Sequence, residues 1–354
     1  MSSTLFVHLD KLGHNLKVIE SYLGKDVKRM AVIKDEAYGH GLIPVANYLE
    51  NKVDWFCVAE LEEAIRLRKA GIEKPILVFE IPPIGEEQAY KEYNITATIA
   101  DISVFKRLLP GTKCHFNFDT GMGRLGMLPS EADEVLRKMD EFPDLNYTGV
   151  YTHFANADGN DEPTVDQQIN RFLQIREKLP KDLMTHTCNS AGILYHSQKN
   201  YFDAVRIGVA LYGYAPGDKT NTGLEAIIEW KSHLVQVKKI CKGDTVGYGS
   251  RWRAPEDGWL GIVPIGYSDG VFRGLSGKIE VEIGENIFPQ VGTISMDYMA
   301  VYLGENKFQE GTEVTILKNG NLSANKWAML AGTIPYEITT VIAPKVKRVY
   351  LGDQ

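Results

Sequence analysis

Over roughly the first two hundred positions, apolar residues gather into short runs, and most runs are followed by a stretch in which they recur every three or four residues. The runs lie near 30–34, 54–58, 75–79, 96–99, 113–118, 147–153, 184–188 and 203–206. Short apolar segments bounded by polar residues predict strands buried on both faces. Helical spacing occupies about 60–70, 84–92, 101–108, 130–140 and 165–178, with shorter stretches after Gly41 and Asn189. Ahead of these, residues 2–8 read as a strand, and Leu12, Leu16, Ile19 and Leu23 as a helix covering the strand that leads to Lys34. Eight strands alternating with helices predict an α/β fold, an N-terminal (β/α)8 barrel, with an open doubly wound sheet as the alternative.

The pattern changes near 214–224, where YAPGDKTNTGL has the Gly, Pro, Asn and Thr content of a linker or long loop. Beyond it come β-rich runs such as HLVQVKKI, WLGIVPI, GKIEVEIG and TEVTILK, separated by Gly and Asn turns. The expected division is a barrel over residues 9–222 and a C-terminal, mostly β domain over 223–354. Strand 2–8 is expected to join the second domain and make it discontinuous.

Composition narrows the function classes. At 354 residues, 44% apolar and 24% charged, the chain has the make-up of an ordinary globular protein. A formal charge of −7 without a basic block argues against nucleic-acid binding. There is no basic and apolar leader pattern at the start and no run long enough for a membrane span, so the expectation is a cytoplasmic protein with no membrane partner. Cys57, Cys114, Cys188 and Cys241 are far apart and read as buried thiols, with neither a disulfide framework nor a metal site.

Polar residues accumulate at the strand ends, where a parallel α/β fold binds its ligands. Lys34 follows the apolar run Ala31, Val32, Ile33, and a lysine held against apolar walls there can form a Schiff base. Tyr38, Gly39, His40 and Gly41 then turn the chain near that amine. DTGMGRLG has three glycines around Arg124, an arginine able to reach an anion. The sixth and seventh strands end in THFANAD and THTCNSAG. These offer His153, and Asn189 and Ser190, which can cap a helix and present its N–H groups to a phosphate. Arg206 and Gly208 follow on the eighth. A lysine, two arginines, a histidine and a phosphate nest at one barrel mouth suggest pyridoxal 5′-phosphate.

The YGHG element, DTGMGRLG, THFANAD, CNSAG, VRIGVALYG, GYGSRW, VPIGYSDG, ISMDY and IPYEI occur in the order found in the alanine racemase family, which the sequence resembles over essentially its whole length. The resemblance implies interconversion of L-alanine and D-alanine by two-base proton transfer, with Lys34 and Tyr248 as the catalytic pair. It implies a homodimer with shared active sites, Tyr248 coming from the partner. Arg206 resembles the residue that contacts the pyridine nitrogen, and His153 the one that bonds that arginine. Tyr38, Ser190, Gly208 and Tyr336 resemble phosphate contacts with Asn189 beside them, Arg124 and the Met296 backbone match the positions that hold the substrate carboxylate, and Tyr267, Arg273 and Asp297 resemble residues of the entrance.

Some positions depart from the family pattern. Asp35 and Glu36 stand where Ala then Asn or Asp is usual, Asn117 replaces a modified lysine that orients the arginine of DTGMGR, and Thr293 replaces an arginine. Asn117 is therefore expected to orient Arg124, directly or with an anion, and Thr293 to open or neutralise part of the entrance. Asp35, Glu36 and Asp297 are candidate partners for a cationic side chain, which leaves racemisation of serine, lysine or arginine as an alternative. A barrel-type amino acid decarboxylase and a non-catalytic pyridoxal-phosphate-binding protein are the remaining rivals. An acidic residue opposite the pyridine nitrogen would fit the decarboxylase better than Arg206 does, and a binding protein has no need of Tyr248.

Overall fold

The computed structural model describes residues 3–159, 162–196, 200–217 and 221–352. The chain forms two compact units: Leu12–Ala37 with Gly41–Leu224, and the described residues up to Lys11 together with Tyr38–His40 and those from Glu225 onward.

The larger unit is the (β/α)8 barrel. After the N-terminal strand β1 (Thr4–His8), its strands are β2 (Lys28–Val32), β3 (Trp55–Val58), β4 (Ile76–Val78), β5 (Ala97–Ile99), β6 (Lys113–Asn117), β7 (Asn146–Tyr151), β8 (Met184–His186) and β9 (Ala204–Ile207). All eight apolar runs became strands. They pair in parallel in the order β4-β3-β2-β9-β8-β7-β6-β5. One bridge, Leu77 to Thr96, closes the ring, with Val78 donating to the Thr96 carbonyl at 3.1 Å and Thr96 to that of Ile76 at 2.8 Å. Parallel strands covered on both faces must be apolar throughout, and β3, β4, β5, β8 and β9 are almost wholly buried.

The helical expectations at 60–70 and 130–140 became Leu61–Lys69 and Ala132–Glu141. At 101–108 only a short 3-10 turn forms, Ile102–Val104, capped by Asp101, which accepts the Ser103 N–H at 2.7 Å. Pro110 disfavours helical geometry just ahead of it, which shortens the segment. Cys57, Cys114 and Cys188 are buried, whereas Cys241 is exposed in the turn after Gln236–Ile240, contrary to the expected burial of all four.

The segment after β2 was not foreseen. Asp35, Glu36, Ala37 and Tyr38 all have positive φ, between 53° and 55°, making a left-handed turn of four non-glycine residues. Each such residue costs about 1–2 kcal/mol, so neighbouring groups must hold the turn in place.

In the other unit, β1 lies between Ile228–His233, antiparallel, and Lys347–Leu351, parallel, at the end of a nine-stranded sheet. Residue 2 lies outside the described residues. Tyr38–His40 packs into this unit: the Gly39 carbonyl accepts Arg348 Nε–H at 2.9 Å. Gly39 has φ +85° and faces the Thr339 backbone so closely that a side chain has no room. Among the described residues, no helix is long and apolar enough to cross a membrane, and no group of His, Cys, Asp and Glu is arranged to hold a metal.

Candidate active site

Six of the proposed cofactor and catalytic residues, Lys34, His153, Asn189, Ser190, Arg206 and Gly208, belong to the barrel strand ends. Arg206, on β9, is 2% exposed. A guanidinium has five N–H donors and accepts nothing, and four of these are committed here. Nη1 donates to His186 Nδ1 at 2.7 Å and to the His186 carbonyl at 3.0 Å; Nη2 donates to the carbonyls of Thr152 at 2.7 Å and Thr187 at 2.9 Å. Its Nε–H has no partner among the described residues and is the donor left for a ligand. Every one of these acceptors is neutral, and among the described residues no carboxylate pairs with Arg206. An uncompensated buried charge is costly, so the strand ends are built to attract an anion.

His153 touches Arg206 Nη2 through Nδ1 and Asn189 Nδ2 through Nε2, each at 3.3 Å. Burial, then the charges of Arg206, Arg124 and Lys34, push its pKa down to about 3, so the ring is neutral at physiological pH. Asn189 caps the helix Ser190–Tyr195, its Oδ1 accepting the Gly192 N–H at 2.9 Å. Ser190 Oγ accepts the N–H groups of Gly208 at 3.0 Å and Ala210 at 3.3 Å. Ser190, Gly208 and Ala210 thereby form a compact cluster of hydroxyl and amide groups suited to phosphate oxygens.

Lys34 lies beyond the end of β2, half-buried, with its Nζ 3.3 Å from the Asp35 carboxylate. Glu36 turns elsewhere: it pairs with Arg66 and accepts the Leu42 N–H at 3.2 Å. Glu63, itself buried, accepts the N–H groups of Glu36, Ala59 and Glu60. These two carboxylates fasten the left-handed turn. Glu36 is thus engaged within the barrel, whereas Asp35 is exposed and faces the Lys34 amine.

Arg124 is exposed in a loop built on Asp119. The Asp119 carboxylate accepts the N–H groups of Gly121, Met122, Gly123 and Arg124 at 2.8–3.1 Å. Asn117 makes no direct bond to the Arg124 side chain among the described residues. It is buried and its amide donates to the Leu125 carbonyl at 3.0 Å, so it holds the far end of the same loop by the backbone.

The other unit holds the remaining residues. Tyr38 and Tyr336 meet edge to face, with ring centroids 6.4 Å apart. Tyr248 is 70% exposed, and its carbonyl accepts the Thr293 hydroxyl at 2.8 Å. Thr293 is buried beneath it, seats the tyrosine and lines the adjoining groove. Met296 is exposed, and its carbonyl accepts the Ser268 N–H at 3.1 Å. The turn at Tyr267 is docked by Tyr267 N–H to the Ser295 carbonyl at 3.1 Å, Asp297 accepts Ser268 Oγ–H at 3.1 Å, and Arg273 is exposed.

Sequence reasoning missed His186, Asp119 and Glu63. His186 and Glu63 lie within strand and helix patterns and read as packing residues. Asp119 opens a motif whose glycines drew attention to Arg124 instead.

The profile of the alanine racemase N-terminal domain matches residues 7–216, and that of the alanine racemase C-terminal domain residues 227–350. The chain is 34% identical to alanine racemase of Treponema denticola, across 98% of this chain and 97% of that protein. It is 35% identical to that of Streptococcus mutans, across 98% and 96%. Among solved structures, alanine racemase of Clostridium difficile superposes with a TM-score of 0.94 at 31% identity, covering 99% of this chain and 96% of the other. The Bacillus anthracis alanine racemase with bound L-Ala-P gives 0.92 at 34% identity, covering 99% and 95%.

Proposed function

The chain belongs to the alanine racemase family, and on that premise we propose that it interconverts L-alanine and D-alanine, using pyridoxal 5′-phosphate and working as a homodimer. The observation that carries the reading is the set of groups around Arg206. This buried cation is surrounded only by neutral acceptors, with one N–H left for a ligand and with Ser190 beyond β8 and Gly208 and Ala210 beyond its own strand β9 forming the adjoining cluster.

These residues fit the cofactor. Ser190 and Gly208, with Tyr38 and Tyr336, would hold its phosphate; Arg206 would donate to its ring nitrogen, with His153 and Asn189 beside the arginine; and the Lys34 amine would be the group to bind its aldehyde. A permanently charged donor keeps that ring nitrogen unprotonated, which an Asp or Glu would not do. When bound, the cofactor supplies the electron sink that lets an amino acid lose its α-proton.

Racemisation needs proton-transfer groups on both sides of the α-carbon. Lys34 serves one side and Tyr248 of a second copy the other. The exposure of Tyr248, beside a groove lined by Thr293, Tyr298 and Met299, supports a surface that a second copy covers. Arg124 and the Met296 backbone hold the substrate carboxylate, and Tyr267, Arg273 and Asp297 line the entrance.

The test is α-proton exchange in deuterated buffer with added pyridoxal phosphate, following alanine, serine, lysine and arginine by NMR together with their chirality. Alanine exchanging fastest, with loss of optical purity, supports the proposal. Faster exchange of serine or a basic amino acid moves the assignment to another racemase, and exchange of none refutes it. Lys34→Ala is expected to lose the absorbance of lysine-bound cofactor.

A further inference from the structure

Behind Arg206 the barrel interior contains two more histidines that the proposed chemistry does not use. His186 Nε2 lies 3.1 Å from His115 Nδ1, and both rings are fully buried. The Tyr151 ring stacks on His186 at 4.8 Å, and Trp55 lies against His115 at 5.2 Å.

The direction of each bond follows from Arg206. Because a guanidinium only donates, His186 Nδ1 must accept, and the single proton of the neutral ring sits on Nε2. That N–H faces His115 Nδ1, which must accept in turn, so the His115 proton sits on its own Nε2. A proton on the opposite nitrogen of His186 would set donor against donor at 2.7 Å. Burial and the Arg206 charge lower both pKa values, His115 to about 3, which keeps the rings neutral.

The molecule makes sacrifices for this chain of bonds. His115 Nε2 is buried with no hydrogen-bond partner among the described residues, a cost that an apolar side chain would avoid. Space for the ring is provided by Gly149, the register partner of His115 on β7: a Cβ there would lie 2.6 Å from the ring atoms.

We propose that His115, acting through His186, is a positioning residue for Arg206: its Nδ1 accepts the Nε2–H that Arg206 imposes on His186 and so holds the His186 ring in the orientation that sets the direction in which the guanidinium presents its remaining N–H. The cofactor consequence rests on the assignment of Arg206 above; the tautomers do not.

The experiment uses the full chain with 15N-labelled histidine, first without cofactor. Both His186 and His115 are expected to show the neutral, Nε2-protonated pattern in two-bond 1H–15N spectra, and an imidazolium or an Nδ1-protonated ring at either overturns the proposal. The second arm measures the Kd for pyridoxal phosphate and the absorption maximum of the bound cofactor. In His115→Asn an amide oxygen falls near the position of Nδ1, so this variant should keep the His186 pattern and a Kd within about threefold of the parent. His115→Phe keeps the ring but not the acceptor, and should raise Kd about five- to tenfold, the effect of one hydrogen bond, with a shifted maximum. Phe tolerated and Asn harmful would show that ring packing is what matters and overturn the proposal, as would equal Kd values for all three. If His115→Phe fails to fold, the parent spectra and His115→Asn still decide. Failure of the parent chain to bind pyridoxal phosphate counts against the proposed function, while the tautomer result stands apart from it.

Discussion

Asp119 holds Arg124 by the backbone: its Oδ2 accepts the Arg124 N–H at 3.0 Å, while Oδ1 gathers the three preceding N–H groups. The guanidinium is left free to meet a ligand because the main chain beneath it is fixed. Burial pushes the Asp119 pKa up, but the four N–H donors outweigh it and hold the carboxyl below its usual range. A depressed carboxyl stabilises the fold above its unfolded value and loses that contribution as pH falls through the folded one. Loop order should therefore persist through the ordinary carboxylate range and be lost only as pH falls through the depressed folded value beneath it. Asp119→Ala is expected to raise the alanine KM about tenfold, with a smaller change in kcat. Hydrogen exchange at residues 120–126 should accelerate in the same variant, and unchanged exchange would remove this role from Asp119.

The buried histidines set a second pH dependence. His115 and His153 are lowered to about 3 and His186 well below 6.5, in each case by burial first and Arg206 next. Between those values and the unfolded 6.5, the unfolded chain binds more protons, so stability is complete above about pH 6.5 and declines as pH falls. Each ring contributes up to about 1.4 kcal/mol per pH unit in that window. Urea midpoints measured at pH 7.5 and 5.5 should drop clearly, and equal midpoints would contradict the neutral assignment.

Glu63 fastens the turn after Lys34 from beneath. Glu63→Ala leaves the N–H groups of Glu36, Ala59 and Glu60 without their acceptor and is expected to cost about 2–3 kcal/mol. Because the turn follows directly on Lys34, kcat should fall further than the loss of folded protein explains. Activity per folded molecule, with folding followed by circular dichroism, separates the two effects.

Gly266 packs against the carbonyls of Ser295 and Met296 so closely that an added Cβ would overlap both. Its φ is ordinary for any residue, so the constraint is purely steric. Gly266→Ala should destabilise by about 3 kcal/mol, seen as a lower Tm, and should disturb the Met296 backbone proposed to hold the substrate carboxylate. A KM unchanged in the folded fraction would count against that assignment.

The barrel was legible because buried parallel strands have to be apolar along their length, and all eight runs between residues 30 and 206 carried that signature. The strand-end residues were legible for the opposite reason, since nothing in core packing asks for Lys34, His153 or Arg206 there. The left-handed turn was not, because Asp, Glu, Ala and Tyr in succession do not mark a run of positive φ. It is imposed by Arg66, Leu42 and Glu63, which lie between 6 and 30 positions from Glu36 in sequence. The departures at Asn117 and Thr293 were visible as departures, but their effects were not. In both cases the side chain bonds a main-chain carbonyl, and sequence spacing gives no sign of such a bond.

The ring of eight strands is not equally strong all the way round. Where β4 meets β5, a single bridge and two main-chain hydrogen bonds carry the closure, whereas β6 and β7 are paired over five register positions. Local opening favours the segment with the fewest cooperative bonds. Breathing of the barrel should therefore favour the two shortest contacts, β8 with β9, which meet in register at His186 and Ala204 alone, and the seam between Leu77 and Thr96, the latter on strands other than those that carry Lys34 and Arg206. The cylinder can relieve strain at this seam while the strands bearing those two residues stay paired to each other through β2 and β9.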